Sequence, residues 1–313
     1  MASPFISQAH KPTSPQAVAV TGATGFIGSA LVEALNAAGR TTYRLVRGDR
    51  ERRPNDIRWD PAAGRLDPRA LDGVEAVVHL AGEPIAQRWT AATKRRIRDS
   101  RVRGTALLAT TLASLARPPR VFVSGSAMGI YGDRGDEELD EASAPGRDFL
   151  AEVATEWEAA TEPAARAGIR VVKLRTGLVL SPHGGALAKL LLPFRLGLGG
   201  RVGSGRQWVS WIALTDTVGA ILHAISADTL AGPVNLAAPN PVTNAELAAT
   251  LARVLRRPAI IPVPAVAMRL AFGEMGVATL LASQRMRPRR LLESGFVFRY
   301  PTLGAALRHE LAR

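Results

Sequence analysis

This 313-residue sequence predicts an α/β fold, a doubly wound parallel sheet with a smaller C-terminal substrate lobe. Three observations carry that expectation. Short β-branched runs alternate with helical stretches through the first half, the mark of parallel strands joined by crossover helices. An apolar strand over 17–21 runs straight into three glycines spaced three apart, Gly22, Gly25 and Gly28. An amphipathic helix follows those glycines without a break, as a strand-turn-helix unit requires.

Taken in order, residues 1–15 carry Pro4, Pro12 and Pro15 among polar neighbours and lack the apolar core of a signal peptide, so they read as a disordered tail. Strands are expected over 17–21, 42–46, 74–80, 120–124 and 169–175, with helices over 27–38, 91–115 and 149–167. Gly39 and Gly168 stand where left-handed helix caps belong, and Pro163 should kink or end the third helix. The acidic turn 133–141 reads most simply as a solvated loop. After Arg175 the rhythm changes: Pro182, Gly184 and Gly185 open a loop, an apolar helix runs to Phe194, and a glycine-rich stretch covers 197–205. A dinucleotide-binding domain over 16–180 and a substrate-binding lobe over 181–313 follow, with return elements near 211–238: a helix over 215–227 and a strand over 234–236. Thr243-Asn-Ala-Glu246 has the pattern of a capping box. Pro262 and Pro264 precede a helical region over 265–283, and a terminal helix starts at Leu303.

Composition excludes several functions. With no cysteine, disulfides, thiolate catalysis and cysteine-ligated metals are ruled out, and five histidines without ligand spacing predict no metal site. The most apolar stretches are interrupted by Asp216, Arg269 and Glu274, which leaves no span for a bilayer, and the cytoplasm is the default location. The net charge of +13 invites a nucleic-acid partner. Only Lys11, Lys94, Lys173 and Lys189 are lysines, however, and the arginine clusters are interleaved with acids in different elements. Solvated faces plus a few phosphate contacts account for that pattern, so neither nucleic acid nor membrane is expected as a partner. Oligomeric state leaves no residue-level mark.

The glycine spacing points to a dinucleotide. Gly22 permits the turn off the strand, Gly25 lets amides approach a pyrophosphate, and Gly28 lets the helix pack close. The helix start adds orphan amides and a positive dipole end. Contacts are therefore expected from Gly22, Ala23, Thr24, Gly25, Phe26, Ile27 and Gly28. The second strand ends Leu45-Val46-Arg47, where a guanidinium suits the 2′-phosphate of NADP(H) and an acid would select NAD(H). Asp49, two residues later, is the competing acid. Leu80-Ala81-Gly82 ends the third core strand in small residues that let the backbone pass close to the adenosine diphosphate, unless Gly82 simply starts a loop.

Several segments resemble the extended short-chain dehydrogenase/reductase superfamily and, within it, the atypical subgroup of epimerase family proteins, which are similar to NAD(P)-dependent epimerase/dehydratases. They are Thr21-Gly22-Ala-Thr-Gly25-Phe-Ile-Gly28, His79-Leu-Ala-Gly-Glu83, Ser124-Gly-Ser126-Ala-Met-Gly-Ile-Tyr131-Gly-Asp133 and Leu174-Arg-Thr-Gly-Leu-Val179. Pro193-Phe-Arg-Leu-Gly-Leu-Gly-Gly200, Gly203-Ser-Gly-Arg-Gln207 and Gly295-Phe-Val-Phe-Arg-Tyr-Pro301 are specific to the subgroup, and the likeness spans about 18–311. It implies a Rossmann fold and NADP(H) contacts from the glycine loop, Arg47, Leu80, Ala81, Gly82, Arg96, Arg101, Ser124 and Leu178.

The superfamily's chemistry needs a Ser to hold the substrate oxygen, a Tyr to pass its proton, and a Lys four residues on to lower the phenol's pKa. Ser126 occupies the serine position, but the helix window Phe149-Leu-Ala-Glu-Val-Ala-Thr-Glu156 holds neither Tyr nor Lys. Tyr131, in the loop after the serine strand, is a candidate acid with a neighbouring arginine, or an aromatic that only packs. Glu152 and Glu156 stand where the missing pair would be. His183 is a candidate proton donor in the nicotinamide loop, or a surface histidine. Glu83, Gln207, Trp208 and Trp211 are candidate substrate contacts, the last three equally readable as core packing. Two functions follow: an NADP(H)-dependent oxidoreductase or epimerase-like enzyme, acting on a small carbonyl or hydroxyl compound with a non-standard acid/base group, or a non-catalytic NADP(H)-binding sensor.

Overall fold

A computed structural model describes residues 17–48 and 53–312; the expected tail over 1–15 and Asp49 lie outside the described residues. Its main sheet has eight strands: β1 (Val18–Thr21), β2 (Thr42–Val46), β3 (Asp56–Asp60), β4 (Arg65–Leu66), β5 (Ala76–His79), β6 (Val121–Ala127), β7 (Arg170–Thr176) and β8 (Gly232–Leu236). Their order is β8-β7-β6-β5-β1-β2-β3-β4, parallel throughout except for the terminal β3/β4 pair. Because β1 pairs with β2 on one side and β5 on the other, the winding direction reverses there. A crevice opens at such a reversal, outside the carboxyl ends of the strands.

Alternation along the strands explains the two covered faces. Val18, Val20, Val78, Val123 and Val172 point to one side, packed in one core with Leu31 and Leu35 of α1 (Phe26–Ala37). Ala19, Val77, Phe122 and Val171 point to the other, with Leu108 and Leu112 of α2 (Ala91–Ala113). Helix α3 (Phe149–Ala159) and the one-turn α4 (Glu162–Arg166) lie beside α2, while α5 (Gly185–Arg195) begins the C-terminal part. Helix α6 (Leu214–Ser226) packs on α1, and β8 hydrogen-bonds to β7 as the sheet's edge. The return elements are thus part of the sheet and its cover.

Four differences from the sequence expectation have physical reasons. Strands β3 and β4 escaped notice because Asp56-Ile-Arg-Trp-Asp60 buries only Ile57 and Trp59. The helix expected over 149–167 is interrupted early, as its proline predicts, but at Ala160 rather than at Pro163 itself, which sits in the first turn of α4, where its missing N–H costs nothing. The region 265–283 is α8 (Ala265–Gly276), broken at Gly273 with φ +57°, followed by a wide turn over Val277–Leu281; α7 (Asn244–Leu255) precedes it and carries the expected capping box. The acidic turn 133–141 is exposed over most of 133–138, as expected of a solvated loop, but its far end is built into the fold: Glu138 and Leu139 pair with Arg285 and Met286, and Glu141 is buried.

A third core joins Leu187, Leu191 and Phe194 of α5, Leu247 and Leu251 of α7, and Leu303 and Leu307 of α10 (Leu303–Leu311) around Trp211, which has no exposed surface. The short strand Trp211–Ala213 runs parallel to Leu178–Leu180, and between it and α10 comes α9 (Arg289–Glu293).

His79 closes β5 with its ring fully enclosed, edge-on to Trp59 at 5.9 Å. The Thr21 hydroxyl accepts from the Leu80 and Ala81 amides, both at 3.1 Å, so its one proton goes to Nδ1 of His79 at 2.7 Å. Burial, assisted by the Arg101 charge, lowers the imidazole pKa to about 3. Because the unfolded chain takes up this proton near pH 6.5, stability is complete above that pH and falls as the pH drops toward 3. Urea unfolding of the wild type should lose about 2 kcal/mol between neutral pH and pH 5 from this group; in His79→Gln that part of the dependence should vanish, and an unchanged profile would refute the assignment.

Candidate functional site

The crevice at the β1 reversal is bounded by backbone that tolerates no side chains. A Cβ on Gly28 would lie 2.1 Å from the Gly22 carbonyl oxygen, so the first turn of α1 rests directly on the turn that leaves β1. Gly22 has φ +66°, and a Cβ there would meet the Leu80 carbonyl carbon at 2.8 Å and the Ala81 nitrogen at 2.9 Å. The loop is closed by Gly25 N–H donating to Gly22 O at 2.9 Å. Gly25 caps α1 without a side-chain hydrogen bond, and the first turn contains no acid. The amides and positive dipole end at this mouth therefore remain available to an anion.

Around the mouth stand the other expected cofactor residues. Arg47 is exposed just past the end of β2 and makes no ion pair among the described residues. By contrast, Arg44 on β2 is spent in a bidentate pair with Asp56 at 2.7 Å. Leu80 and Ala81 give their amides to Thr21, and Gly82 has the Arg101 guanidinium 3.2 Å from where its Cβ would be. Arg101 donates to Glu83 O and Ile97 O and lies over the Trp157 ring at 5.1 Å; burial lowers its pKa to about 10, against the attraction of Glu83. Glu83 in turn accepts from Gln87 and pairs with exposed Arg96 at 3.5 Å. Phe26 is wedged against Gly184, whose Cβ would lie 2.7 Å from the ring, so the glycine loop is seated against the loop before α5. Leu178 lies half-buried beside that loop, and His183 is exposed.

The α3 window 149–156 holds neither Tyr nor Lys, and a buried polar row runs across the neighbouring strand ends. Ser126, Arg175 and Asn235 are register partners across β6, β7 and β8. Ser126 Oγ donates to Glu158 Oε1 at 2.7 Å, and Glu158 forms a fork with Arg175 at 2.8 and 3.1 Å. Arg175 also donates to the Tyr131 hydroxyl at 3.0 Å, which donates to Asn235 Oδ1 at 2.6 Å. Asn235 N–H reaches the buried carboxylate of Glu141 at 3.0 Å. Burial works against the Arg175 charge, yet Glu158 and Tyr131 outweigh it and hold its pKa above the ordinary value. Burial pushes the Tyr131 phenol up to about 12, despite the opposing pull of Arg175 and Asn235. Burial likewise raises Glu141, against the amides of Asn235 and Arg290.

Tyr131 is therefore fully enclosed, with its hydroxyl committed and its pKa displaced opposite to what a proton donor near neutrality needs. Ser124 is buried on the same strand. Gln207 donates to the Val202 and Leu280 carbonyls, and Trp211 to Asn240 O from within the core. Trp208 is half-buried and donates to Asp136. Glu152 is exposed and Glu156 is paired with Arg98, whereas Glu158 faces inward. Sequence reasoning missed Glu158, although it continues the Ala151, Ala154 stripe at i, i+3, i+7. Asn235 was missed too; its signal is one polar residue inside the apolar run 234–238.

A parallel sheet that reverses at a glycine-lined helix start defines a Rossmann-type α/β protein. Residues 18–237 match the NAD-dependent epimerase/dehydratase family and residues 263–310 match a domain of unknown function, DUF1731. The chain belongs to the NAD-dependent epimerase/dehydratase family, among the epimerase family proteins. It is 45% identical over 300 residues to an epimerase family protein of Mycobacterium bovis, covering 95% of this chain and 98% of that one. The crystal structure of human epimerase family protein SDR39U1 with NADPH aligns with a TM-score of 0.87 at 37% identity, covering 95% and 99% of the two chains. A nucleoside-diphosphate sugar epimerase of Corynebacterium glutamicum aligns at 0.79 and 40% identity, over 95% of this chain and 58% of that one.

Removing one member of the buried ion pair strands the other. Arg175→Met should cost about 3–5 kcal/mol of unfolding free energy, and the Arg175→Met/Glu158→Leu double variant should recover most of it. Denaturant melts of the four proteins decide this; additive losses would mean that the two side chains are not coupled.

Proposed function

We propose that this protein binds NADP(H) and works as an oxidoreductase or epimerase-like enzyme on a small carbonyl or hydroxyl compound, with an acid/base arrangement other than Tyr and Lys. The observation that carries the reading is the mouth of α1: uncapped amides, no acid, and glycines at both points where a Cβ would obstruct. The NADPH in the human relative supports the phosphorylated form, as does Arg47, free of ion pairs among the described residues. In this reading the backbone over 22–28 holds the diphosphate and Arg47 the 2′-phosphate. Leu80 to Gly82, Ser124 and Leu178 border the cofactor, and Arg101 and Arg96 anchor the loop beside it. Bound NADPH supplies a hydride.

The chain's own residues set the rest. Ser126 gives its proton to Glu158 and keeps lone pairs to accept from a substrate hydroxyl. Tyr131 is a positioning residue that holds Arg175 and Asn235 in line. Gln207 and Trp211 shape the substrate lobe from within, and Glu83 is the polar group placed to meet substrate directly. In this reading residues 16–180, completed by 211–238, form the nucleotide domain and 181–313 the substrate lobe; the core that α5, α7 and α10 share supports the second.

A second reading, a non-catalytic NADP(H) sensor, is favoured by one observation: Ser126 is 3% exposed and already bonded to a carboxylate. Titration of the protein with NADPH, followed by single-turnover reaction with a carbonyl panel, separates the two. Saturable binding with consumption of the reduced cofactor is expected; binding without turnover of any compound would select the sensor, and no binding would refute both.

Arg47→Asp should weaken NADPH by roughly tenfold or more, as loss of a charge-assisted phosphate contact implies, while NADH binding is retained. Fluorescence titration of both cofactors measures it, and unchanged selectivity would remove Arg47 from the site.

A further inference from the structure

Most of the large hydrophobic side chains that stand exposed in the described residues come from two adjoining segments of the C-terminal part. Leu192, Leu196 and Leu198 belong to the end of α5 and the loop after it; Ile260 and Ile261 precede α8, and Val266, Leu270 and Phe272 lie on it. Leu270 is 83% exposed and Ile260 78%. The segments are joined by backbone: Val263 N–H donates to Arg201 O at 2.9 Å, Gly203 N–H to Val263 O at 2.8 Å, and Arg257 reaches Arg195 O at 3.0 Å. Helix α8 is apolar nearly all round yet buries only Met268, Met275 and Gly276. Exposed apolar side chains gathered on two hydrogen-bonded segments in this way mark an interaction surface.

Charge identifies the occupant. The stretches 183–206 and 247–273 contain no acidic residue and eight cationic ones, among them Arg195, Arg201, Arg256, Arg257 and Arg269. These five are exposed, and none of the eight makes an ion pair among the described residues. The acids that flank the second stretch in sequence are engaged: Glu246 closes the capping box of α7, and Glu274 pairs with Lys94 at 2.6 Å. A second copy meeting this face on itself would set cations against cations, the one carboxylate of α8, Glu274, being already held by Lys94. Nucleic acid would satisfy the charge and leave the aliphatic side chains in water.

We infer that this face docks the protein on an anionic lipid bilayer surface. Aliphatic side chains enter the headgroup boundary while the guanidinium groups meet lipid phosphates, the two contributions that bind interfacial elements. No helix among the described residues is long and apolar enough to cross a membrane, so the contact is peripheral. None of the exposed side chains named for this face is among the residues assigned to the cofactor, and the inference does not depend on the cofactor reading.

Flotation of the full chain with vesicles of equal phosphatidylglycerol and phosphatidylcholine, against pure phosphatidylcholine, tests it. The protein should float with the anionic vesicles at least tenfold more than with the neutral ones, and salt should release it. Ile260→Asn/Leu270→Asn and Arg256→Asn/Arg269→Gln should each reduce flotation at least tenfold, with circular dichroism and NADPH titration unchanged. Equal recovery with both vesicles, recovery with neither, or a lipid-free dimer that Ile260→Asn/Leu270→Asn dissociates would overturn the inference.

Discussion

Everything at the crevice depends on how closely α1 approaches the turn that leaves β1. Gly28 lies against the Gly22 carbonyl, and Gly22 against the backbone of Leu80 and Ala81, so three chain segments meet with no side chain between them. That contact sets the height of α1 over the sheet and aims its first amides past the strand ends. The Thr21 hydroxyl then holds the Leu80 and Ala81 amides, which fixes the neighbouring strand end relative to the glycine turn. An anion site made of backbone cannot be adjusted by rotamers, and its precision comes from this packing alone.

A second constraint is the buried polar row across the ends of β6, β7 and β8. The Ser126, Glu158, Arg175, Tyr131, Asn235 and Glu141 series spans three adjacent strands and reaches the turn over 133–141. Buried ionic groups of this kind are stable only as a set, since each satisfies the next. The row fastens the acidic turn and the start of α9 to the sheet through Asn235 and Glu141, because Glu141 also accepts from the Arg290 amide. The ends of β6, β7 and β8 are thereby tied to one another and to α3 through side chains.

The parts of this fold that were legible in the sequence are those set by period and punctuation. Strand alternation, the glycine triplet, the Thr243 to Glu246 box and the terminal helix all depend on neighbours in sequence, and the structure has them where local rules place them. What was not legible depends on partners far away in the chain. Glu158 and Asn235 look like an ordinary helical acid and a strand polar residue until Arg175 and Tyr131 stand beside them. Tyr131 carries the same lesson: an arginine is indeed its neighbour, but full burial decides the sign of its pKa shift. The turn over 133–141 is acidic and largely exposed, as a solvated loop is, and only its pairing with 285–286, across the whole C-terminal part, reveals that its far end is anchored.

The contact of Phe26 with Gly184 joins an aromatic ring in the nucleotide turn to a bare backbone stretch more than 150 residues later. Neither position can change by itself: any side chain at 184 must invade the ring, and a shorter residue at 26 leaves a void. Their amino acids should accordingly be inherited as a matched couple, bulk at 184 requiring glycine at 26, because the Phe26 Cβ itself stands 2.7 Å from where a Cβ at 184 would be. Sequence divergence elsewhere in the two loops is unconstrained by this coupling.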